Sequence, residues 1–176
     1  AADGTLRNRT PQQRRQHAAA LARHVVQLAQ SAQCKLVALY RPVGAEPDTR
    51  DLANALLVCG IALAYPRLWP DGSAIQLVPC AGPSALQARP RSRLLEPVGA
   101  ACQPGEVDLV VVPTVALSAD GVRLGRGGGH YDRLLPQLRA DVPRVAAVAA
   151  ACVWAWQPQE AHDARIGLAC TEAGLF

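Results

Sequence analysis

The sequence has no methionine, one phenylalanine and one lysine, and aromatic residues fill only 4% of its 176 positions. Its core must therefore be aliphatic, drawn from the Ala, Leu and Val that dominate a composition half hydrophobic. Long apolar runs are missing too. The longest, Val145 to Trp156, is alanine-rich and shorter than the ~18 residues that a membrane helix needs, which excludes a membrane partner by spanning. The opening AADGTLRNRTPQQRR lacks the apolar stretch of a secretory signal, so a cytoplasmic location is expected. The six cysteines lie far apart, with no CxxC pair and no histidine at metal-ligand spacing, and read as buried free thiols. A net charge of +4 without any basic block gives no argument for a nucleic-acid partner. Nothing in the pattern sets an oligomeric state.

The length suits a single domain spanning residues 1–176, large enough to bury a sizeable core. Of 18 basic residues Lys35 is the sole lysine, leaving 17 arginines, whose planar fork suits carboxylate and phosphate; a GC-rich genome would produce the same bias. Thr10 followed by Pro11 opens a helix running to Gln30, with Ala18, Leu21, Val25 and Leu28 on one face. Lys35–Tyr40 and Ile61–Pro66 read as buried strands flanking a helix over Thr49–Cys59, which Gly60 ends in a left-handed cap. Residues 67–104 read as loops and short edge elements, with one strand at Ala74–Val78. Asp108–Val112 (DLVVV) is a strand, and Val145–Ala151 and Ile166–Cys170 are further candidates. A short helix is expected over Tyr131–Leu138 despite Pro136. The expected fold is α/β: a three-layer α/β/α domain with a mostly parallel central sheet. Ligands of such sheets bind at the carboxyl ends of the strands.

Directly after the DLVVVP strand stands GVRLGRGGGHYDR, Gly121 to Arg133. Gly125, Gly127, Gly128 and Gly129 allow a close backbone approach, and their amides can converge on an anion beside the helix start near Tyr131. Arg123, Arg126 and Arg133 add three permanent positive charges. The natural reading is a phosphate cradle, in which Asp132 could offer a hard oxygen to Mg²⁺. On glycine count alone, a flexible surface loop with solvated arginines is equally good. The stretch lacks the GK[ST] ending of a P-loop and follows a late strand, unlike a dinucleotide fingerprint.

GVRLGRGGGHYDR resembles the signature of the 5-formyltetrahydrofolate cyclo-ligases. YRPVGAEPDTRDL (Tyr40–Leu52), AYPR (from Ala64), LLEP (Leu94–Pro97), DLVVVP (from Asp108) and PQEAHD (Pro158–Asp163) resemble further family segments in the same order. The resemblance implies an ATP-dependent ring closure of 5-formyltetrahydrofolate to 5,10-methenyltetrahydrofolate. It also implies that Arg123, Leu124, Gly125, Arg126, Gly127, Gly128, Gly129, His130, Tyr131 and Arg133 hold ATP. Arg126 and Tyr131 would be catalytic. Arg41 and Glu46, with Arg126 to His130, would contact the folate, and Asp132 and Asp163 would bind Mg²⁺.

Each residue also has a plainer reading. Glu46 can simply favour a helix amino end, Asp163 can be a solvated loop residue, and Asp48 and Thr49 can cap a helix. His130 stands where the family more often has Tyr or Phe, which makes it a wall of the site and not an acid or base. The sequence departs from the family at Ser118 and Gly167, where Asp is usual, and the family's amino-terminal basic segment would align before Ala1. These departures support an alternative: a weakened family member that binds folate or nucleotide as an accessory protein.

Overall fold

The structure is a computed structural model that describes residues 2–88, 94–155 and 164–176. Four α-helices occur among these residues: α1 (Ala2–Arg7), α2 (Pro11–Ser31), α3 (Arg50–Val58) and α4 (His130–Leu134). The strands in the first half are β1 (Leu36–Ala38), β2 (Ala62–Leu68), β3 (Ile75–Cys80), β4 (Gln87–Ala88) and β5 (Leu95–Glu96). Those in the second half are β6 (Leu109–Pro113), β7 (Ala116–Ser118), β8 (Arg123–Leu124), β9 (Arg144–Ala147), β10 (Val153–Trp154), β11 (Leu168–Thr171) and β12 (Gly174–Leu175).

A seven-stranded sheet runs in the order β12-β11-β9-β6-β1-β2-β3. It is parallel from β11 to β2, and β12 and β3 pair antiparallel at its edges. Side chains alternate across it, as the strand period requires. Val37, Leu63, Leu109, Val111 and Val145 face α2 and α3, whereas Ala38, Ala64, Val110, Val112 and Ala146 face the opposite layer. The α/β fold with a mostly parallel central sheet is the expected one; the opposite layer carries strands as well as helices. It consists of α1, α4, 3₁₀ turns and a separate three-stranded sheet, β10-β7-β8.

Local chemistry explains the element ends. Thr10 forms a capping box with Gln13, its hydroxyl accepting from the Gln13 amide at 3.2 Å while the Gln13 side chain accepts from the Thr10 amide at 2.8 Å. Gly60 follows α3 with φ of 75°, as a left-handed cap requires. Thr49 precedes α3 without capping it; its hydroxyl donates to the Tyr40 carbonyl at 2.8 Å, tying the helix start to the end of β1. The helix expected over Tyr131–Leu138 ends at Leu134 and continues as a 3₁₀ turn over Leu135–Gln137, because Pro136 has no amide hydrogen to extend it. The strand expected to reach Ala151 stops at Ala147; Ala150–Cys152 forms a 3₁₀ turn whose first amide donates to Glu172 at 3.0 Å. All six cysteines are free, but only Cys34, Cys152 and Cys170 are buried and Cys59 is exposed, correcting the uniform burial expected.

No helix among the described residues is long and apolar enough to cross a membrane. From the adjacent strands β1 and β6 the chain leaves in opposite directions, to β2 on one side and to β9 on the other. Their carboxyl ends therefore form the topological switch point at which ligands of open α/β sheets bind.

Candidate active site

Two segments leave this switch point. One follows β1 from Tyr40 to Asp48; the other follows β6 and carries the glycine-rich stretch. Together with Pro66, Leu68, Ile75, Leu94, Leu95 and Glu96 they enclose a cavity of about 590 Å³. Arg41, Glu46, Arg123 to Tyr131 and Asp132 all line it. Residues far apart in the chain and singled out separately thus meet on one surface. Arg133 is the exception among the expected ATP-binding residues: it lies behind the loop, its guanidinium donating to the Gly128 carbonyl at 2.8 Å.

Glycine is required at particular points of the loop. At Gly121, φ is 85° and a Cβ would collide with the Ile166 carbonyl oxygen. Gly129 has φ of 60° at the start of α4, and a Cβ there would lie 2.8 Å from the Arg133 guanidinium.

The loop's arginines are not bare charges awaiting an anion. Arg123, its side chain only 6% exposed, donates from Nη2 to both oxygens of Asp132 at 3.0 and 2.9 Å, and its guanidinium lies 5.8 Å from the centre of the Tyr131 ring. Its buried Nε has no partner among the described residues. Arg126 is 45% exposed at its side chain and donates from Nε to Glu46 at 2.7 Å and from Nη2 to the Val43 carbonyl at 2.7 Å. Glu46, 6% exposed at its side chain, also accepts from the Val43 amide at 2.8 Å. The Glu46–Arg126 pair thereby closes the two loops on each other across the cavity. Neither the helix-end nor the solvated-loop reading of these residues describes this.

Burial pushes the Tyr131 phenol well above its ordinary range, with the Glu46 charge adding to the shift and the Arg123 charge opposing it. Tyr131 thus stays protonated at neutral pH, able to donate a hydrogen bond but unsuited to act as a base. Tyr40 is buried, and burial raises its phenol strongly; it donates to the Pro47 carbonyl at 2.8 Å and fixes the path of the β1-end loop. His130 reaches across to the Gly72 carbonyl at 3.1 Å, consistent with a wall of the cavity. Asp163, the second expected metal ligand, lies outside the described residues.

The departure at Ser118 is buried and linked to a neighbouring carboxylate. Its hydroxyl donates to Asp120 and accepts from the Val122 amide at 3.0 Å, while Asp120 also pairs with Arg165 at 3.0 Å. These contacts support the turn into β8. Sequence reasoning missed Tyr40 and Glu96 as cavity residues, although the family-like segments Tyr40–Leu52 and Leu94–Pro97 carried them; that Glu96 is a buried acid, 4% exposed, emerges only from the fold.

A model of the 5-formyltetrahydrofolate cyclo-ligase family matches residues 4–172. The chain belongs to that family. It is 32% identical over 138 residues to a 5-formyltetrahydrofolate cyclo-ligase of Mycolicibacterium smegmatis, covering 73% of this chain and 69% of the relative. A protein of the same name from Haemophilus influenzae is 30% identical over 131 residues, with 73% and 70% covered. Among solved structures, the 5,10-methenyltetrahydrofolate synthetase of Aquifex aeolicus superposes with a TM-score of 0.83 at 28% identity, covering 99% of this chain and 87% of that one. The synthetase of Mycoplasma pneumoniae, at 19% identity and TM-score 0.77, covers 96% of this chain and 93% of its own and shares the fold. Against this family background the cavity at the β1/β6 switch point, with both family segments on its walls, is the candidate site.

Proposed function

We propose that the protein cyclises 5-formyltetrahydrofolate to 5,10-methenyltetrahydrofolate in an ATP- and Mg²⁺-dependent reaction that releases ADP and phosphate. One observation carries this reading: the Glu46–Arg126 pair joins a carboxylate suited to pterin N–H groups to a cation on a glycine loop suited to phosphate. The formyl oxygen attacks the γ-phosphorus, forming an O–P bond as the bond to the departing ADP oxygen breaks. The N10 lone pair then attacks the activated carbon, the C–O bond breaks with its electrons leaving on phosphate, and the N10 proton is lost.

The protein's part is positioning and charge stabilisation, which is what phosphoryl transfer mainly asks of an enzyme. The loop amides from Gly125 to Gly129 receive phosphate oxygens. Substrate competes with Arg126 for Glu46, and the freed guanidinium turns to the transferring phosphoryl group. Tyr131 donates its hydroxyl hydrogen, and His130 closes the wall.

For Mg²⁺, Asp132 is the suited donor. Among the described residues no three His, Cys, Asp or Glu side chains form a cage, but one carboxylate together with substrate phosphates is an ordinary Mg²⁺ environment. Arg123 orients that carboxylate while leaving further lone pairs on both oxygens. When bound there, the ion neutralises charge developing on the phosphates. Mixing the protein with 5-formyltetrahydrofolate, ATP and Mg²⁺ should give a rise in the near-ultraviolet absorbance of the methenyl product that depends on ATP. A folded protein giving no such rise would refute the reading.

A further inference from the structure

A second cavity, about 540 Å³, adjoins the first, and Arg41, Glu46 and Leu95 line both. Its acids are already engaged, Glu46 by Arg126 and Asp48 by Arg50. Its arginines are less evenly matched. Arg9 is held near Glu172 and His17. Arg14 donates only to the backbone carbonyls of Arg9 and Arg7, and Arg41 makes no side-chain hydrogen bond or ion pair among the described residues. Among the described residues, two guanidinium charges thus border the cavity without a carboxylate partner.

An independent feature points to a ligand. Tyr65 lines this cavity, is 2% exposed, and its buried hydroxyl has no hydrogen-bond partner among the described residues. A buried hydroxyl without an acceptor is unfavourable, so the site is short of one acceptor as well as of negative charge. Pro83, Leu86 and Leu95 supply an apolar part of the wall.

We propose that this second cavity is a carboxylate subsite for the acidic end of the folate substrate, with Arg14 and Arg41 facing the terminal glutamate and the Tyr65 hydroxyl donating to it. The proposal rests on the folate reading above. Arginine forks and a phenol suit carboxylates, and the apolar wall suits the aryl stem that separates them from the pterin. The glycine-loop amides that suit phosphates belong to the first cavity alone.

The test is calorimetric titration of the full chain with 5-formyltetrahydrofolate, with the same compound lacking its glutamate, and with ATP. Wild type, Tyr65→Phe and Arg14→Gln are compared after their folding is checked by circular dichroism. The wild type should bind the intact compound about tenfold or more tightly than the truncated one, as a charge-assisted contact implies. Tyr65→Phe and Arg14→Gln should each erode that preference and leave ATP affinity unchanged. Equal wild-type affinity for the two compounds overturns the subsite and leaves the folate reading standing. Variants that lose ATP affinity while keeping the preference also overturn it, because the anion would then be a phosphate. Binding of neither folate compound overturns the folate reading and this one with it. If a variant fails to fold, the wild-type preference alone decides.

Discussion

Two arginine–aspartate pairs stand at opposite ends of the central sheet, and their surroundings separate them. At the amino end, Asp108 pairs with Arg139 at 3.2 Å and accepts the amides of Lys35 and Leu36 at 2.8 and 3.0 Å. It thereby ties the start of β6 to the start of β1. At the carboxyl end, Asp132 and Arg123 form a tighter pair that lines the cavity, with a buried guanidinium nitrogen left unpartnered. An ion pair anchored on strand amides is a structural fastening. One that borders a cavity and retains an unused donor is equipped for a ligand.

The largest effect is expected at the carboxyl end. Arg126→Ala should lower kcat/KM for cyclisation by about a hundredfold or more, the scale of losing one preorganised charge donor, and far beyond what the loss of stability from leaving Glu46 without its cation accounts for. Steady-state absorbance kinetics and a thermal melt check both halves of that statement. Next, Asp132→Asn should raise the Mg²⁺ concentration needed for half-maximal rate by about tenfold or more, measured by titrating the ion at saturating substrates.

At the amino end the pattern inverts. Asp108→Asn should cost about 1–3 kcal/mol of stability in denaturant unfolding and leave kcat/KM unchanged. Burial opposes its ionisation, but the Lys35 and Leu36 amides and Arg139 outweigh that and hold its carboxyl below the ordinary range. A depressed folded pKa means the contribution is present above the unfolded value of about 4 and lost as pH falls through the lower folded one. The wild type should therefore lose stability in acid over that window more steeply than Asp108→Asn. Smallest of all, Arg50→Ala removes an exposed pair with Asp48 and should leave the melting temperature unchanged.

The parallel strands were readable because burial on both faces makes their residues apolar throughout, as in DLVVVP. Thr10 and Gly60 were readable because caps are local chemistry. The sheet formed by β7, β8 and β10 was not, since strands of two or three residues are too short to show a period. Alanine has little strand preference, so the Ala149–Ala151 run did not announce that β9 ends at Ala147. At the site, residue types and loop position pointed to Arg126 and Asp132, whereas Glu46 came only from the family resemblance. Their partners were hidden, because a contact such as Arg126 with Glu46 spans 80 residues and depends on tertiary geometry.

One paired measurement tests the central claim: ATP-dependent methenyl formation by Arg126→Ala and by Asp108→Asn, each alongside its melting curve. The first variant should lose turnover out of proportion to any loss of stability, and the second should lose stability and keep turnover. Loss of turnover in both, in proportion to loss of stability, would contradict the assignment of the site to the carboxyl end of the sheet.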